Sequence, residues 1–477
     1  MADHFEVDGP WRERCRIPFE LLDRGKAAAE RTLAEIAAQP AVSAKGGDLR
    51  PVAERLARLM RDCGLESAVM PTAGAPIVLG RRMESDRLPT ILVYGHYDVQ
   101  PVEPLSAWSS GPFTPEIRDG RMYGRGTADN KGQHIAQLLA IKAVLDSSGR
   151  LPVNVVMIVE GEEEIGSPHL ERWVDDHAHL LKADFAYTSD GAIHPSGRPV
   201  VLCGARGLLY LELTLRTASA DRHSGNFGGV SRNAALELSR AVASLWDDDG
   251  EIAVPGFHDA VAEPSGAERA AVEALPLTWP IPAAERLTRV TSPSDWFHRV
   301  LLRPNINVSG LNAGWTGPSM KTVIPATATA KLDIRLVPGQ DPEDIARLIT
   351  ERLRAAAPDI EVNVISAVKA SRTPLDSPIV DRVSQAVEFA WEQTPLLYPS
   401  LAGTVPDFVF TSNLALPSVI VPYGNADQAN HAPDENLLLD CFHKGARTFV
   451  AVLHAFAGDG PATVTAPARR PRSPGAA

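Results

Sequence analysis

Two strand-length runs of almost wholly apolar residues constrain the fold of this chain more than any other feature. Residues 90–94 read TILVY and residues 153–159 read VNVVMIV, and the segment between them carries apolar residues at helical spacing over 135–145. Strands that are apolar on both faces are typical of a parallel sheet covered by helices on both sides. The order strand, helix, strand therefore predicts an α/β fold with a mainly parallel sheet flanked by helices. Two opening helices are also predicted, over 25–38 and 48–65.

A second pattern begins near residue 206. Residues 209–215 and 327–336 alternate apolar with polar side chains, as half-exposed strands do, and helical patterns at 233–246 and 342–356 and a strand at 361–368 accompany them. This combination predicts an α+β unit inserted over 206–369. Apolar patterns at 379–390, 417–421 and 438–456 resemble the first unit again, so that unit is predicted from 1–205 and 370–457. The stretch 248–304, rich in proline, glutamate and alanine, is expected to carry helical or loop structure of its own, and the polar tail at 458–477 is expected to be disordered.

Charge and composition exclude several classes of partner. The 477 residues include 59 acidic and 47 basic side chains, which leave a net charge of −12 and no basic surface for nucleic acid or an anionic membrane. The four cysteines lie far apart, and neither a signal peptide nor a membrane-spanning run is apparent. We expect a cytoplasmic protein with no nucleic-acid or membrane partner.

Polar side chains suited to binding a metal follow the predicted strands directly. His96 and Asp98 come after the first apolar run, glutamates at 160 and 162–164 come after the second, and Asp190 ends a further short strand. Open α/β sheets bind their ligands at this carboxyl edge. Taken singly, each residue also has an ordinary structural explanation, such as a capping aspartate, an acidic surface loop or a turn before Gly191.

Two more candidates lie in loops. Asp129 stands where the glycine-rich stretch YGRGTADNKG becomes a helix, which also suits a helix cap, and His431 lies in the polar loop NADQANHAPDEN, which also suits a surface histidine. Together, two histidines and several carboxylates form the ligand mixture that zinc and similar divalent metals accept. Two cations about 3.5–4 Å apart would share a carboxylate, and a free carboxylate nearby would act as a base on water. The set predicts hydrolytic chemistry.

Several strings of residues occur in the order found in one enzyme family, namely GHYDVQP, GRGTADNKG, EGEEEIGS, the SD pair at 189–190, DRHSGNFGG and TVIPATATAKLDIRLVPGQDP. On these strings, over about residues 23–457, the chain resembles the di-zinc metallopeptidases that include aminoacylase, carboxypeptidase G, succinyl-diaminopimelate desuccinylase and carnosinase. The last two strings and the long insertion between them are most similar to the cytosolic non-specific dipeptidase and carnosinase branch. The resemblance implies a catalytic domain with an inserted, ferredoxin-like lid and dimerisation domain.

The resemblance also implies the roles of the candidate residues. Glu163 becomes the general base, Asp98 orients the first histidine, and the peptide bond between Asp129 and Asn130 is cis. The implied cofactor is two zinc ions per subunit, with manganese or cobalt as alternatives. The implied ligands are His96 and Asp190 for one ion, Glu164 and His431 for the other, and Asp129 for both.

Residues of the inserted unit are implied to complete the active site. His223 of DRHSGNFGG would reach the active site of the partner subunit and stabilise the developing oxyanion, which requires a homodimer formed through the lid. Asn307, Thr322 and Arg335 are similar in position to residues that contact substrate in the dipeptidase branch. The paired donors of Arg335 suit a carboxylate, although a surface ion pair is the alternative for this strand residue.

One segment departs from the dipeptidase branch. Where the branch has a motif of the type R-E-G-G-S-I-P around the substrate carboxylate, this chain reads SLAGTVP over 400–406, so Ser400 replaces the arginine while Gly403 and Thr404 keep the turn. The predicted function is hydrolysis of an amide bond in dipeptides or short peptides through a metal-bridged water. The alternatives are an N-acyl-amino-acid or other small-amide hydrolase, which Ser400 favours, and a catalytically silent homologue that binds metal or peptide.

Overall fold

The computed structural model describes residues 9–276 and 292–457, which form sheets of eight, four, three and two strands. The described strands are β1 (Glu66–Met70), β2 (Ile77–Arg82), β3 (Thr90–His96), β4 (Glu116–Arg118), β5 (Arg121–Tyr123), β6 (Asn154–Glu160), β7 (Phe185–Thr188), β8 (Val200–Leu202), β9 (Gly207–Arg216), β10 (Arg222–His223), β11 (Asn305–Ala313), β12 (Val323–Ile324), β13 (Thr327–Leu336), β14 (Glu361–Val368), β15 (Leu396–Tyr398), β16 (Ser418–Ile420) and β17 (Asn436–Leu438). The described α-helices are α1 (Trp11–Arg14), α2 (Arg16–Arg24), α3 (Lys26–Ala37), α4 (Arg50–Asp62), α5 (Gly132–Ser148), α6 (Leu170–His177), α7 (Ser224–Phe227), α8 (Ala234–Ala243), α9 (Gly266–Ala274), α10 (Pro293–Leu302), α11 (Pro342–Ala356), α12 (Pro378–Trp391) and α13 (Leu439–Ala455).

The large sheet has the strand order β1-β2-β6-β3-β7-β16-β8-β15. Its centre, β6-β3-β7-β16, is parallel, and β1 and β2 add an antiparallel edge. Strands β3 and β6 are buried along their whole length, because helices cover both faces of the sheet. On one face the core includes Ile141 of α5 and Val450 of α13, and on the other it includes Trp173 of α6. The predicted α/β fold with a mainly parallel sheet is confirmed.

The four-stranded sheet has the antiparallel order β11-β13-β9-β14. Alternate residues of β9 are buried, with Leu209, Leu211 and Leu213 among them, and they share a core with Leu238 of α8 and Ile349 of α11. A leucine side chain that is fully buried contributes about 1.5–3 kcal/mol to folding. Because apolar and polar residues alternate along these strands, the opposite face of the sheet is half exposed.

Most predicted elements lie where the sequence pattern puts them. The predicted helices at 25–38 and 48–65 correspond to α3 and α4, and those at 233–246 and 342–356 correspond to α8 and α11. The predicted strands at 209–215, 327–336 and 361–368 correspond to β9, β13 and β14. The tail at 458–477, predicted to be disordered, lies outside the described residues. Across the described ranges, no helix combines the length and apolar character needed to cross a membrane.

The stretch 248–304 carries α9 and α10, one on each side of residues 277–291, which are not described. Both helices share an apolar core with strands β8 and β15 of the large sheet. Two arginines in the connections that enter and leave the four-stranded sheet bind this stretch. Arg206 donates to the carbonyl oxygen of Val300 at 2.7 Å, and Arg372 contacts Glu268 of α9. The stretch therefore contacts both crossings between the two sheets.

Candidate metal centre and active site

Three neighbouring strands of the large sheet deliver most of the candidate side chains. Strand β3 ends at His96, β6 ends shortly before Glu163 and Glu164, and β7 ends two residues before Asp190. The strands are parallel neighbours in the order β6-β3-β7, so their carboxyl ends meet at one edge of the sheet. Open α/β sheets bind ligands at this edge, and the structure brings these predicted residues together there.

Asp129 lies between two histidines. Its Oδ1 is 3.1 Å from Nε2 of His96, and its Oδ2 is 3.1 Å from Nε2 of His431. Oδ2 of Asp190 lies 3.7 Å from the same nitrogen of His96, and Oε2 of Glu164 lies 3.2 Å from that of His431. The side chains thus form two groups that share Asp129, each with its possible ligand atoms within 4.8 Å of one another.

The two groups fit a pair of divalent cations. Imidazole nitrogen and carboxylate oxygen are ligands that zinc accepts, and manganese and cobalt compete for the same donors. Each oxygen of Asp129 faces a different group, as a bridging carboxylate requires. Oε1 of Glu164 is buried without a hydrogen-bond partner among the described residues, so it offers a cation an uncommitted oxygen. The peptide bond between Asp129 and Asn130 is cis, as the resemblance implied.

The carboxylates of the two groups raise the pKa of both histidines. Hydrogen bonds with Asp129 and Glu164 raise the pKa of His431 to about 10. Burial lowers the pKa of His96, but hydrogen bonds with Asp129, Asp190 and Asp98 outweigh that effect and raise it well above its usual value. The carboxylates around each histidine therefore favour a positive charge there, carried by a proton or by a metal ion. A metal ion that binds the histidine nitrogen displaces the proton.

Asp98 links His96 to the loop that carries Glu163 and Glu164, called the glutamate loop below. Its Oδ1 lies 3.4 Å from Nδ1 of His96, and its carbonyl oxygen lies 3.1 Å from the same nitrogen. Its carboxylate also accepts the backbone N–H groups of Glu163 and Glu164, at 3.2 and 3.1 Å. A proton held on Nδ1 leaves the lone pair of Nε2 pointing at the shared ligand group. Asp98, which is fully buried, thus joins two parts of the site.

Glu163 lies beside both ligand groups. Burial raises the pKa of its carboxyl group well above the usual value, and the charges of Asp190, Asp129 and Glu164 raise it further against the opposing charge of His96. A carboxyl group with a raised pKa can accept and return a proton near neutral pH. The environment of Glu163 therefore suits a general base.

The other two glutamates of the loop have partners outside the metal groups. Glu160 accepts hydrogen bonds from the hydroxyls of Tyr94 at 2.7 Å and Ser167 at 2.8 Å. Oε2 of Glu162 lies 2.7 Å from Nδ1 of His169. Of the four glutamates in the string EGEEEIGS, only Glu163 and Glu164 therefore face the candidate metal centre.

Glu435 is a site residue that the sequence patterns did not identify. It is fully buried, and its carboxylate accepts the backbone N–H groups of Gly126 at 2.9 Å, Ala128 at 3.0 Å and Asp129 at 3.0 Å. It also accepts from Nη1 of Arg125 at 2.7 Å, and burial raises the pKa of this carboxyl group. One carboxylate thus holds the loop that presents the shared ligand. The signal in the sequence was an acidic residue four positions after His431, in the same polar loop.

Two predicted residues of the inserted unit, His223 and Thr322, lie close to each other. His223 is exposed, its Nδ1 accepts the N–H of Gly225 at 3.0 Å, and its Nε2 lies 3.4 Å from the hydroxyl of Thr322. Within the described chain, no hydrogen bond or ion pair links His223 or Thr322 to the cluster around Asp129. These two predicted residues therefore form a separate polar pair.

Arg335 reaches from the four-stranded sheet to the turn at 400–406. Its Nη1 donates to the hydroxyl of Thr404 at 3.0 Å, and its Nε donates to Asp333 at 3.1 Å. Asn307 is paired across the sheet with Asp333, so it lies on the same face as Arg335. Arg335 thus makes an ion pair within its own strand and also contacts the turn that follows β15 of the large sheet.

Ser400 is turned away from this contact. The residue is buried, and its hydroxyl donates to the carbonyl oxygen of the adjacent Leu401 at 3.0 Å. Gly403 lies next to Thr404 in the turn, and a side chain at this position would meet only Leu401, at 3.8 Å. The turn therefore presents Thr404 to the four-stranded sheet. Ser400, at the arginine position of the dipeptidase branch, is hydrogen-bonded to the backbone of the adjacent residue.

Two metal-ligand groups that share a carboxylate at the carboxyl edge of a parallel sheet define a metal-dependent hydrolase of the α/β class. The family described as Peptidase family M20/M25/M40 matches residues 92–455, and the chain belongs to this family. This result confirms the resemblance drawn from the sequence strings and identifies the chain as a metallopeptidase.

Relatives and solved structures agree with this assignment. The chain is 31% identical over 399 residues to the Cys-Gly metallodipeptidase dug1 of Schizosaccharomyces pombe, covering 81% of this chain and 84% of the relative. It is 27% identical to the Beta-Ala-His dipeptidase of Rattus norvegicus, covering 79% of each. The structure of the M20 family metallo-carboxypeptidase Sso-CP2 from Sulfolobus solfataricus superposes with a TM-score of 0.85 at 32% identity, covering 90% of this chain and 99% of that one.

The contacts of Glu435 predict a loss of metal affinity in Glu435→Gln. The substitution removes the charge that balances Arg125 and weakens three bonds to the loop of Asp129. We expect zinc affinity, measured by competition with a chromophoric chelator, to fall about 10- to 100-fold. The free energy of unfolding should fall by about 3–5 kcal/mol, because a buried arginine loses its partner.

The matched control is Asp427→Asn. Asp427 is largely exposed and pairs with Arg121 at 2.8 Å, so its loss should cost no more than about 1 kcal/mol and leave zinc affinity unchanged. Equal zinc affinity in the wild type and Glu435→Gln would contradict the positioning role of Glu435.

Proposed function

We propose that the chain is a zinc-dependent dipeptidase that hydrolyses dipeptides with a free carboxyl terminus. The observation that carries this proposal is the position of Asp129, with one oxygen 3.1 Å from His96 and the other 3.1 Å from His431. The names of the relatives, a Cys-Gly metallodipeptidase and a Beta-Ala-His dipeptidase, support the substrate class. Manganese and cobalt are the alternative metals, because the same donors accept them.

The proposed ligands are His96, Asp190, Glu164 and His431, with Asp129 as the bridge. Divalent ions in such a site supply Lewis acidity at the peptide carbonyl and make a water molecule more acidic. Glu163 accepts the proton of the attacking water and returns it to the leaving amine, which its raised pKa supports. Asp98 keeps the imidazole of His96 in the ligating orientation through Nδ1.

Arg335 is the proposed binding group for the carboxylate of the substrate. Its guanidinium already contacts Thr404 across the two sheets, and its paired donors match the two oxygens of a carboxylate. Asn307 lies on the same face of the four-stranded sheet and is a second candidate for substrate contact. The rival function is hydrolysis of N-acyl-amino acids or other small amides, which Ser400 favours because it replaces an arginine of the dipeptidase branch.

We further propose a homodimer in the cytoplasm, with residues 206–369 as the lid and dimerisation domain and 1–205 with 370–457 as the catalytic domain. Large apolar side chains of the 206–369 stretch are exposed, and they include Val308 and Leu311 of the edge strand β11, Trp315 and Met320. Large apolar side chains that are exposed in this way support association with a second chain. The free state of all four cysteines supports a reducing compartment.

The proposed roles of adjacent glutamates predict different results for two substitutions. Glu163→Gln should abolish turnover while leaving bound zinc unchanged, because an amide cannot accept the proton from water. Glu164→Gln should instead lower the zinc content, since it removes a ligand. Dipeptide turnover and metal analysis on the same samples measure both effects, and loss of zinc from Glu163→Gln would show that the two roles are exchanged.

Glu163→Gln is also used to test whether His223 acts across a dimer. His223→Ala should lower turnover without releasing zinc, because its contacts lie apart from the metal groups. Mixing Glu163→Gln chains with His223→Ala chains should restore up to about a quarter to a half of the wild-type activity, since some active sites then receive both intact residues. Activity no higher than the average of the two variants measured separately would contradict a role in the partner subunit.

Substrate class is tested by turnover of Ala-Ala, Ala-Ala amide and N-acetylalanine by the zinc enzyme. We expect the kcat/KM of Ala-Ala to exceed that of its amide by about 10- to 100-fold, because a hydrogen bond to a charged group contributes about 1.5–3 kcal/mol. Arg335→Ala should remove most of this difference. Arg347→Ala is the matched control, because Arg347 is an exposed arginine of α11 that pairs with Glu351. Faster cleavage of N-acetylalanine than of Ala-Ala would replace the dipeptidase proposal with the deacylase.

A further inference from the structure

A cavity of about 390 Å³ lies between the glutamate loop, the turn at 400–406 and the edge strand β14 of the four-stranded sheet. Its volume is within the range of small-molecule sites in proteins. Glu163 lines this cavity, and so does Thr404, the hydroxyl partner of Arg335. The cavity therefore extends between the proposed general base and the proposed carboxylate-binding group.

The wall formed by the four-stranded sheet is apolar. Leu208 of β9 is paired with Arg335 on one side and with Val368 of β14 on the other, so the three side chains form a row on one face of the sheet. Leu208 and Val368 line the cavity, and Ile365 of the same edge strand lines it as well. Arg335 thus lies at the end of an apolar row.

The opposite wall also carries large apolar residues. Ile165 follows the two functional glutamates directly, and Val405 and Phe408 follow Thr404 in the chain. Ile165 is 44% exposed and Ile365 is 55% exposed, although both are large apolar residues that proteins usually bury. Two exposed isoleucines on opposite walls of one cavity indicate a surface that is prepared for an apolar ligand group.

The charged residues that line the cavity further restrict the kind of ligand that it can bind. Among the described residues that line it, Glu163 and Glu171 carry negative charge and none carries positive charge. Glu171 already accepts a hydrogen bond from Asn413 at 3.3 Å. An acidic ligand side chain would meet these carboxylates with no cationic side chain of the lining to balance it, so the lining disfavours it.

We propose that this cavity binds the side chain of the C-terminal residue of a dipeptide and selects large apolar residues there. The inference rests on the proposed function. In a dipeptide, the C-terminal residue joins the leaving amine, which Glu163 protonates, to the free carboxylate, which Arg335 binds. Its α-carbon must therefore lie between these two groups, and the cavity that extends between them is where its side chain fits.

The test compares kcat/KM of the zinc enzyme for Ala-Gly, Ala-Leu, Ala-Phe and Ala-Glu. We expect Ala-Leu and Ala-Phe to exceed Ala-Gly by at least about tenfold, because each methylene placed in an apolar pocket contributes to discrimination. Ala-Glu should be poorer than Ala-Leu by at least the same factor. Leu-Ala against Gly-Ala provides the reference for the N-terminal residue, where this cavity gives no preference.

The critical variant is Ile365→Asp, matched with Val364→Asp. Both residues are about half exposed and adjacent in β14, but only Ile365 lines the cavity. Ile365→Asp should lower the Ala-Leu to Ala-Gly ratio at least about fivefold. Val364→Asp should leave the ratio within about twofold of the wild type, which also controls for any general effect of a charge on this strand.

Several outcomes would overturn the inference. A wild-type ratio near one, equal ratios in the two variants, or a preference for large residues only at the N-terminal position would each show that the cavity does not select the C-terminal side chain. In those cases turnover of Ala-Gly shows that the dipeptidase proposal still stands. Absence of any dipeptide turnover, with cleavage of N-acetylalanine, would overturn the proposed function and this inference together.

Discussion

One buried carboxylate, shared between two imidazoles, is the interaction on which the site depends. Burial alone would raise the pKa of Asp129, but its bonds with His431 and His96 hold that pKa far below the usual value. The group therefore stays charged inside the protein, because its interactions with the two imidazoles offset the cost of burial. Its position is fixed from behind, because Glu435 binds its backbone N–H and is balanced by Arg125. Arg125 and Glu435 thus hold the loop from behind, while the two imidazoles balance the charge of Asp129 where two metal ions fit.

The large sheet and the four-stranded sheet each contribute one surface of the site. Parallel strands bring rigid carboxyl ends to one edge, and the acidic loops that follow them carry the ligands. The four-stranded sheet supplies a second surface, which meets the first where Arg335 reaches Thr404. The space left between the two surfaces is lined mostly by apolar side chains, so one cleft combines a charged reaction centre with an apolar wall. Helices α9 and α10 contact both crossings between the sheets and contribute to their relative position.

The large sheet and the inserted sheet could be predicted because burial imposes a pattern on consecutive residues: continuous in β3 and β6, alternating in β9 and β13. The ligands could be predicted as a set, since the strands end next to them, but their geometry could not. Glu435 was missed because its partners lie 306 or more residues away in the chain, and no local spacing records such a contact. Ser400 could be recognised as a substitution, whereas its bond to Leu401 depends on a backbone turn. Helical or loop structure was expected over 248–304, but the positions of α9 and α10 could not be predicted because both helices are short and lie in a stretch rich in proline.

The central claim is that two divalent ions bind on opposite sides of Asp129. The most direct test is X-ray diffraction from crystals of the zinc-loaded protein, with anomalous difference maps calculated on both sides of the zinc absorption edge. We expect two peaks per chain, about 3.5–4 Å apart, one next to His96 and Asp190 and the other next to Glu164 and His431. A single peak, or two peaks that do not share Asp129 as a ligand, would contradict the account.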